Sequence, residues 1–303
     1  MRGLRLERKH AEFFNVYSTT RMIRIVGTIF AGLLGLAFGS FLNVCLSRWP
    51  EGESVVKPRS HCRDCDHTLA WWENVPVVSW LALRGRCRRC GAWIGWRYPL
   101  VELAVGVLWA LVAWRSHQAF FPIEYAVGIM FLMWALVGLA VLDAEHFWLP
   151  NALTLPGIAL GFFWWFLQGE QVGWALHMPP DLAQNARDVG ERLLGIVLAA
   201  ALILLIRWLY KLIRHREGMG LGDVKLMAML AAWLGLPGAL LAFGLGAVLG
   251  SIAALVLLIV PARGSESWAT TKLPFGTFLC VGGIVSSLWG GQMIAAYLHW
   301  AGL

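Results

Sequence analysis

The chain has 303 residues, of which 58% are hydrophobic and only 14% are charged. A soluble domain carries charge on about a quarter of its residues, and the deficit here falls in long apolar blocks, which excludes an ordinary soluble protein and indicates a bilayer-spanning one. The formal net charge is +7, but no separate basic soluble domain is present, so the charge indicates membrane topology and nucleic-acid binding is not expected.

Apolar runs of spanning length recur along the chain. They predict an all-α polytopic membrane protein, a bundle of about eight transmembrane helices, because only helices satisfy their own backbone groups in lipid. The run Val224–Val260 is too long for one helix and breaks at a Gly-Leu-Pro-Gly sequence, residues 235–238, so it predicts two spans. Seven spans in total are the alternative. The other predicted spans are Ile25–Leu46, Pro99–Trp114, Ile123–Leu142, Leu149–Leu167, Leu193–Tyr210 and Pro274–Trp300.

These spans divide the chain into a basic N-terminal tail (1–24), a first span (25–46), an insert (47–98) and the remaining membrane bundle (99–303). The insert carries nine of the 25 Lys and Arg residues. Because basic loops stay in the cytoplasm, the insert is predicted to be cytoplasmic, near the anionic lipid surface. This orientation leaves the basic tail outside, which the charge rule does not explain unless the tail lies on the membrane as an amphipathic segment.

Four of the six cysteines form two Cys-x-x-Cys pairs in the insert, separated by 21 residues. Each pair presents two sulfurs in a tight turn, and two pairs complete the closed four-thiolate shell of a structural zinc ion. Redox-active pairs are the alternative, but two matched pairs in one loop fit a shared metal better. His61 is interpreted as a neighbour, and Cys45 and Cys280 as packing residues. The predicted zinc ligands are Cys62, Cys65, Cys87 and Cys90.

Two aspartates stand at the ends of predicted spans, where an ionisable group is costly and indicates function by default. Asp143 follows the run Ile123–Leu142, and Asp223 follows a glycine-rich turn and opens the next span. The predicted topology puts both on the cytoplasmic side. Two carboxylates that share a site can divide the work, one activating water and the other protonating or polarising a carbonyl. The alternative is that each merely caps a helix N-terminus.

Four further residues beside these aspartates are interpreted as support for a catalytic loop. Gly220 and Gly222 permit the turn that delivers Asp223. Glu145 lies two residues after Asp143, and Lys225 is expected to snorkel or to pair with a carboxylate.

In this order, the motifs resemble the type IV prepilin peptidase family, the bifunctional leader peptidases and N-methyltransferases. The resemblance runs from about Gly39 to Gly283 and centres on a GxGD signature at residues 220–223, placed after the two Cys-x-x-Cys pairs. Glu145 and Asn151 depart from it, since many members carry aspartate there. The other matching segments are Gly39–Val44, Pro58–Ser60, Asn74–Pro76, Leu83–Cys87, Arg97–Glu102 and Pro274–Gly276.

The resemblance implies that Asp143 and Asp223 are the catalytic pair of an aspartate peptidase in the bacterial inner membrane. It implies cleavage at the cytoplasmic face, after the glycine that ends the basic leader of type IV prepilins or type II secretion pseudopilins. The new N-terminal residue would then be methylated with S-adenosylmethionine as donor. No glycine-rich nucleotide loop identifies the donor's site, and Glu73, Asn74 and Gly91 are the residues expected to contribute. The expected partners are these substrates and membrane lipid.

Two other classes of function are alternatives. A transporter or scaffold would use the aspartates to bind ions or cap helices, but transporters place such charges mid-bilayer at broken helices, whereas these lie at span ends. A membrane thiol oxidoreductase would use the Cys-x-x-Cys pairs, and bound zinc without thiol turnover would exclude it.

Overall fold

The computed structural model describes residues 2–119, 123–175, 182–215, 219–259 and 273–302. Within these ranges the chain forms eight α-helices and one short 3-10 helix, Trp71–Asn74, and no β-strand beyond two isolated bridges. The first helix joins the predicted tail to the first span without a break. The α-helices are α1 (Arg2–Arg48), α2 (Val78–Ala82), α3 (Arg97–Ala119), α4 (Ile123–His146), α5 (Asn151–Ala175), α6 (Leu182–Arg214), α7 (Leu221–Ile259) and α8 (Phe275–Trp300).

Six of the described helices contain segments long and apolar enough to cross a membrane. Each is at least as long as the roughly 20 residues that a helix needs to cross a hydrocarbon core about 30 Å thick. The prediction of an all-α polytopic membrane protein is therefore confirmed. The six segments are Arg21–Arg48, Arg97–Ser116, Ile123–His146, Arg187–Arg214, Leu221–Leu257 and Phe275–Trp300.

The prediction of two spans between residues 224 and 260 concerns α7, which is interrupted in its middle. Gly235 has φ 75° and ψ 171°, a backbone conformation outside the helical region that glycine adopts without a Cβ penalty. The carbonyl oxygen of Ala231, whose helical partner would be the Gly235 N–H, accepts a hydrogen bond from Arg192 at 3.3 Å. Counting the two halves of α7 separately, and adding α5 where the span Leu149–Leu167 was predicted, gives eight helices, roughly consistent with the prediction, although α5 is not among the six segments above.

Residues 1–134 form the first of two compact units. In it, α1 and α3 approach so closely that only glycine fits between them. A Cβ at Gly35 would lie 2.9 Å from the Cα of Gly106, and one at Gly39 would lie 2.7 Å from the Cα of Glu102. Small residues permit this approach in lipid, where van der Waals packing drives helix association.

The insert is tied to the ends of α1 and α3 by arginine side chains. The buried guanidinium of Arg48 donates to the carbonyl oxygens of Ser54 and Pro58, both at 2.8 Å. Arg97 donates to the hydroxyl of Ser47 at 2.9 Å. These contacts fix the chain directly after α1 and directly before α3.

Residues 135–303 form the second compact unit, in which α7 and α8 pack through glycines. A Cβ at Gly246 would lie 3.1 Å from the Cα of Leu279, and a Cβ at Gly282 would overlap the carbonyl oxygen of Ala242. The α8 helix is held against the second half of α7 by this close approach.

We predict that Gly282→Ala destabilises the protein by about 1–3 kcal/mol or more, because the added methyl group overpacks the contact between α7 and α8. Gly291→Ala on the same helix is the matched control, since a Cβ there meets nothing within 4 Å and alanine favours the helix by about 1 kcal/mol. Unfolding of the two variants in detergent micelles measures the difference. Equal stability of the two would show that the close approach is wrong.

Candidate functional site

Asp143 lies one turn before the end of α4 and is buried, with 6% of its surface exposed. Its Oδ2 accepts a hydrogen bond from the backbone N–H of Thr277 at 2.7 Å and lies 3.2 Å from the Thr277 hydroxyl, which also donates to the carbonyl oxygen of Ala140 at 2.9 Å. Thr277 is the third residue of α8. The N–H groups of a first turn lack helical partners and favour negative charge, so Asp143 caps α8.

Gly276 allows this carboxylate to approach α8. A Cβ at position 276 would lie 2.9 Å from both Cγ and Oδ2 of Asp143, a distance at which something must move. The absence of a side chain therefore brings the carboxylate against the first turn of the helix.

Asp223 is also buried, with 7% exposed, and it is the third residue of α7. Its Oδ2 accepts the N–H of Gly220 at 3.1 Å, as the carboxylate of a capping box does. The helix-capping alternative is thus correct for both aspartates as a description of their hydrogen bonds, with the difference that Asp143 caps a helix distant in sequence. Capping does not account for their convergence.

The two carboxylates lie near each other. They lie close enough to interact electrostatically, and the thiol of the fully buried Cys280 lies within range of both. Leu149 packs against the glycines beside both aspartates: a Cβ at Gly222 would meet its Cβ at 3.0 Å, and a Cβ at Gly276 would meet its Cδ1 at 3.0 Å. The structure therefore brings together two charged side chains separated by eighty residues of sequence.

The other residues interpreted as loop support lie farther out. Lys225 donates to the side-chain oxygen of Asn151, the first residue of α5, rather than to a carboxylate. Glu145 is exposed and lies 3.9 Å from the imidazole of His146. Gly220 supplies the N–H that Asp223 accepts. The supporting role of these residues in catalysis stays a prediction.

Sequence reasoning missed Thr277 as a partner of Asp143. It noted the segment Pro274–Gly276 only as a point of resemblance and stopped one residue short. A proline directly before a helical pattern marks a helix start, and a helix start supplies free N–H groups. That signal predicts that an anionic side chain accepts hydrogen bonds from the N–H groups of residues 275–278, but it does not identify the side chain.

The four cysteines of the insert lie in two knuckles of identical construction, offset by 25 residues. In the first, the Cys62 N–H donates to the His67 carbonyl and the Asp66 N–H donates to the Cys62 carbonyl. In the second, Cys87, Ala92 and Gly91 repeat both hydrogen bonds. Asp66 and Gly91 follow the second cysteine of each pair and have φ values of 54° and 74°. In the sequence this duplication shows only as the two Cys-x-x-Cys pairs.

The sulfurs fit a tetrahedral zinc ion. Zinc–sulfur bonds of about 2.3 Å place ligand sulfurs about 3.8 Å apart, and the Sγ atoms of Cys62 and Cys90 are 3.8 Å apart, those of Cys65 and Cys87 4.0 Å. All four lie within 4.8 Å of one another. The backbone N–H groups of Cys90 and Arg89 lower the pKa of the Cys87 thiol to about 6, whereas burial and hydrogen bonds among the neighbouring thiols raise the pKa values of Cys62 and Cys90.

The three residues expected to contact a methyl donor do not lie together. Glu73 is buried, accepts the N–H of Ala70 at 2.8 Å, and lines a cavity of the insert with Asn74. Gly91 does not line that cavity, and a Cβ there would meet nothing within 4 Å. The positive φ of the second knuckle accounts for glycine at this position.

We predict that the purified protein contains one tightly bound zinc ion per chain, because a closed four-thiolate site has no open position. Cys62→Ser and Cys87→Ser should each lose the metal and make the insert sensitive to protease, whereas Cys45→Ala, outside the cluster, should keep both. Metal analysis and limited proteolysis measure this. A zinc-free variant whose insert resists protease as the parent does would show that the metal is dispensable.

Comparisons with known proteins cover most of the chain. A family model described as the Bacterial Peptidase A24 N-terminal domain matches residues 33–116, and one described as the Type IV leader peptidase family matches residues 130–255. No solved structure matches.

Curated relatives are similar over nearly their full length. A prepilin leader peptidase/N-methyltransferase of Stutzerimonas stutzeri is 36% identical, over 89% of this chain and 93% of the relative. A protein of the same name from Pseudomonas aeruginosa is 37% identical, over 89% of this chain and 93% of the relative. One from Aeromonas salmonicida is 31% identical, over 88% of this chain and 92% of the relative. The four-cysteine insert and both aspartates fall within the regions that the family models match. The chain therefore belongs to the type IV leader peptidase family.

Proposed function

We propose that Asp143 and Asp223 cleave the basic leader from type IV prepilins or type II secretion pseudopilins, after the glycine that ends the leader. The observation that carries this proposal is the convergence of two buried carboxylates at helix ends, each accepting a backbone N–H group at a helix N-terminus. The names of the curated relatives supply the substrate class.

The chemistry follows from two carboxyl groups that share one site. Both cannot be ionised at low cost, so one retains a proton. The ionised group takes a proton from water, whose oxygen attacks the carbonyl carbon of the scissile peptide bond. The protonated group donates to the carbonyl oxygen, and the carbon–nitrogen bond then breaks as the leaving amine is protonated. Free carboxylate and amine ends are the products.

The side of the membrane on which cleavage takes place is inferred from the sequence. The basic insert between the first two spans favours the cytoplasmic side, and both aspartates then occur at cytoplasmic span ends. We therefore place cleavage at the cytoplasmic face of the bacterial inner membrane, where a basic leader would also be retained.

A second activity, methylation of the new N-terminal residue, is proposed with S-adenosylmethionine as methyl donor. The shared name of the relatives includes this activity. In this proposal the zinc ion is structural: it holds the two knuckles of the insert together and supplies no open coordination position for chemistry.

The position of the aspartates argues against the transporter alternative. Asp143 lies in the last turn of α4 and Asp223 in the first turn of α7, whereas the break in α7 at Gly235 brings no carboxylate with it. Coupling ions in transporters are bound at such mid-helix breaks. The four-sulfur cluster likewise supports a shared metal over two independent dithiols.

We predict that Asp143→Asn and Asp223→Asn each lower the rate of leader removal from a prepilin peptide at least about 100-fold. An amide does not take the proton from water, and it does not give a proton to the carbonyl oxygen of the scissile bond as a carboxyl group does. Asp188→Asn, a change of the same kind at an exposed site on α6, is the control and should leave cleavage unchanged. Cleavage is followed by mass spectrometry in detergent micelles, with unfolding curves recorded for each variant. Parent-like cleavage by either folded variant would contradict the catalytic pair.

A further inference from the structure

The connection between α4 and α5 joins the candidate site to the protein surface. Leu149 is buried in this connection and packs on Gly222 and Gly276, the glycines beside the two aspartates. Phe147 and Trp148, directly before it in the chain, are 55% and 40% exposed. One side of the connection therefore lies against the site, and the other presents two aromatic side chains.

Phe147 has a backbone conformation that favours glycine. Its φ is 51°, and its N–H donates to the carbonyl oxygen of Asp143 at 2.9 Å, which closes the end of α4. Helices commonly end on a residue in this left-handed conformation, and that residue is usually glycine because a Cβ is crowded there. Glycine would form the same hydrogen bond. A bulky side chain that its backbone disfavours, and that is more than half exposed, indicates contact with another molecule.

Glu145, in the last turn of α4, adds a negative charge beside these rings. It is exposed, and its carboxylate lies 3.9 Å from the imidazole of His146. In the described part of the second compact unit, the other exposed carboxylates are those of Asp188 and Glu191, near the start of α6. The end of α6 leads into α7, so the start of α6 lies at the far end of the bundle from Asp223. Within those residues, Glu145 is thus the exposed carboxylate nearest the site.

A surface that combines a carboxylate with exposed aromatic rings fits a cationic peptide side chain. Carboxylates form charge-assisted hydrogen bonds with lysine and arginine, and the faces of aromatic rings attract the same cations. An anionic lipid headgroup, which meets a membrane protein at the same depth, is repelled by Glu145. In the proposed reaction, the peptide that reaches the two aspartates carries a basic leader on one side of the cleaved bond.

We propose that Glu145, Phe147 and Trp148 form a docking surface for the basic leader of the substrate. The proposal rests on the proposed peptidase activity and adds a specificity determinant to it. Glu145 pairs with a lysine or arginine of the leader, and the two rings contact the carbon chain and the charge of that side chain. Because Leu149 holds the connection against the site, a leader bound on its outer side places the following peptide bond close to both aspartates.

An exchange of charges tests the ion pair. The full chain in detergent micelles cleaves a leader peptide, and mass spectrometry of the products gives kcat and KM. Glu145→Gln should raise KM up to about fivefold at unchanged kcat, the effect of losing one exposed ion pair, and Glu145→Lys should raise it further through repulsion. A peptide whose leader lysines and arginines are replaced by glutamate should reverse the order, with Glu145→Lys binding it better than the parent does. Added salt should reduce these differences.

The same changes at Glu191, exposed near the start of α6, are the matched control. Glu191→Gln and Glu191→Lys should follow the parent with both peptides, because the site is a helix length away.

Phe147→Gly separates docking from folding. Glycine suits this backbone position, so the variant should unfold no more easily than the parent. Its KM for the basic leader should nevertheless rise about twofold to fivefold, because one aromatic contact with the cation is lost. A side chain that serves only the fold would not give this combination.

The outcomes distinguish the docking surface from the peptidase. Parent-like KM values of Glu145→Lys for both peptides, a change confined to kcat, or a parent-like KM of Phe147→Gly would overturn the docking surface and leave the proposed peptidase intact. The last of these would assign the ring of Phe147 to the lipid surface. A parent protein that cleaves neither peptide would contradict the proposed peptidase itself.

Discussion

The hydrogen bond from the first turn of α8 to Asp143 is the interaction on which the candidate site depends. A helix in a bilayer satisfies its own backbone groups except at its ends, where the first N–H groups remain free. Thr277 and Gly220 present two such groups, and the carboxylates of Asp143 and Asp223 accept them. The hydrogen-bond partner of each aspartate is therefore a backbone N–H group and not a flexible side chain. Such a rigid partner fixes the position of the carboxylate, as a catalytic pair requires. The same contact joins the end of α4 to the start of α8.

Glycine at contact positions makes this arrangement possible. Gly276 admits the Asp143 carboxylate to the helix end, Gly222 admits Leu149 beside Asp223, and Gly282 lets α8 pack on the backbone of α7. In lipid, where apolar surface gives no advantage to association, close packing supplies the stability. The insert depends on another constraint, four sulfurs at tetrahedral spacing that tie together two knuckles with few buried apolar groups around them. Membrane packing and metal binding thus stabilise different parts of the chain.

The sequence predicted the helical membrane fold, the break in α7 and the cysteine cluster, because each depends on local composition or fixed spacing. It placed Asp143 and Asp223 on one side of the membrane, but their convergence depends on α8, which contributes no charged residue near them. Thr277 and Leu149 were missed for that reason, since a backbone N–H and an apolar side chain leave no chemical pattern. The role of Gly91 in binding a cofactor stays a prediction, while its positive φ, which the knuckle requires, could not be read from the sequence.

Chemical cross-linking between positions 143 and 223 tests the central claim most directly. Asp143→Cys and Asp223→Cys would be combined in a chain whose Cys45 and Cys280 are replaced by alanine and whose zinc cysteines are kept, then treated with a short thiol-specific cross-linker. A single site predicts efficient cross-linking between positions 143 and 223 within one chain, identified by mass spectrometry of the joined peptides and absent from chains that carry only one of the two replacements. Failure to cross-link, when a monofunctional reagent labels both cysteines in the folded protein, would show that the two aspartates do not form one site.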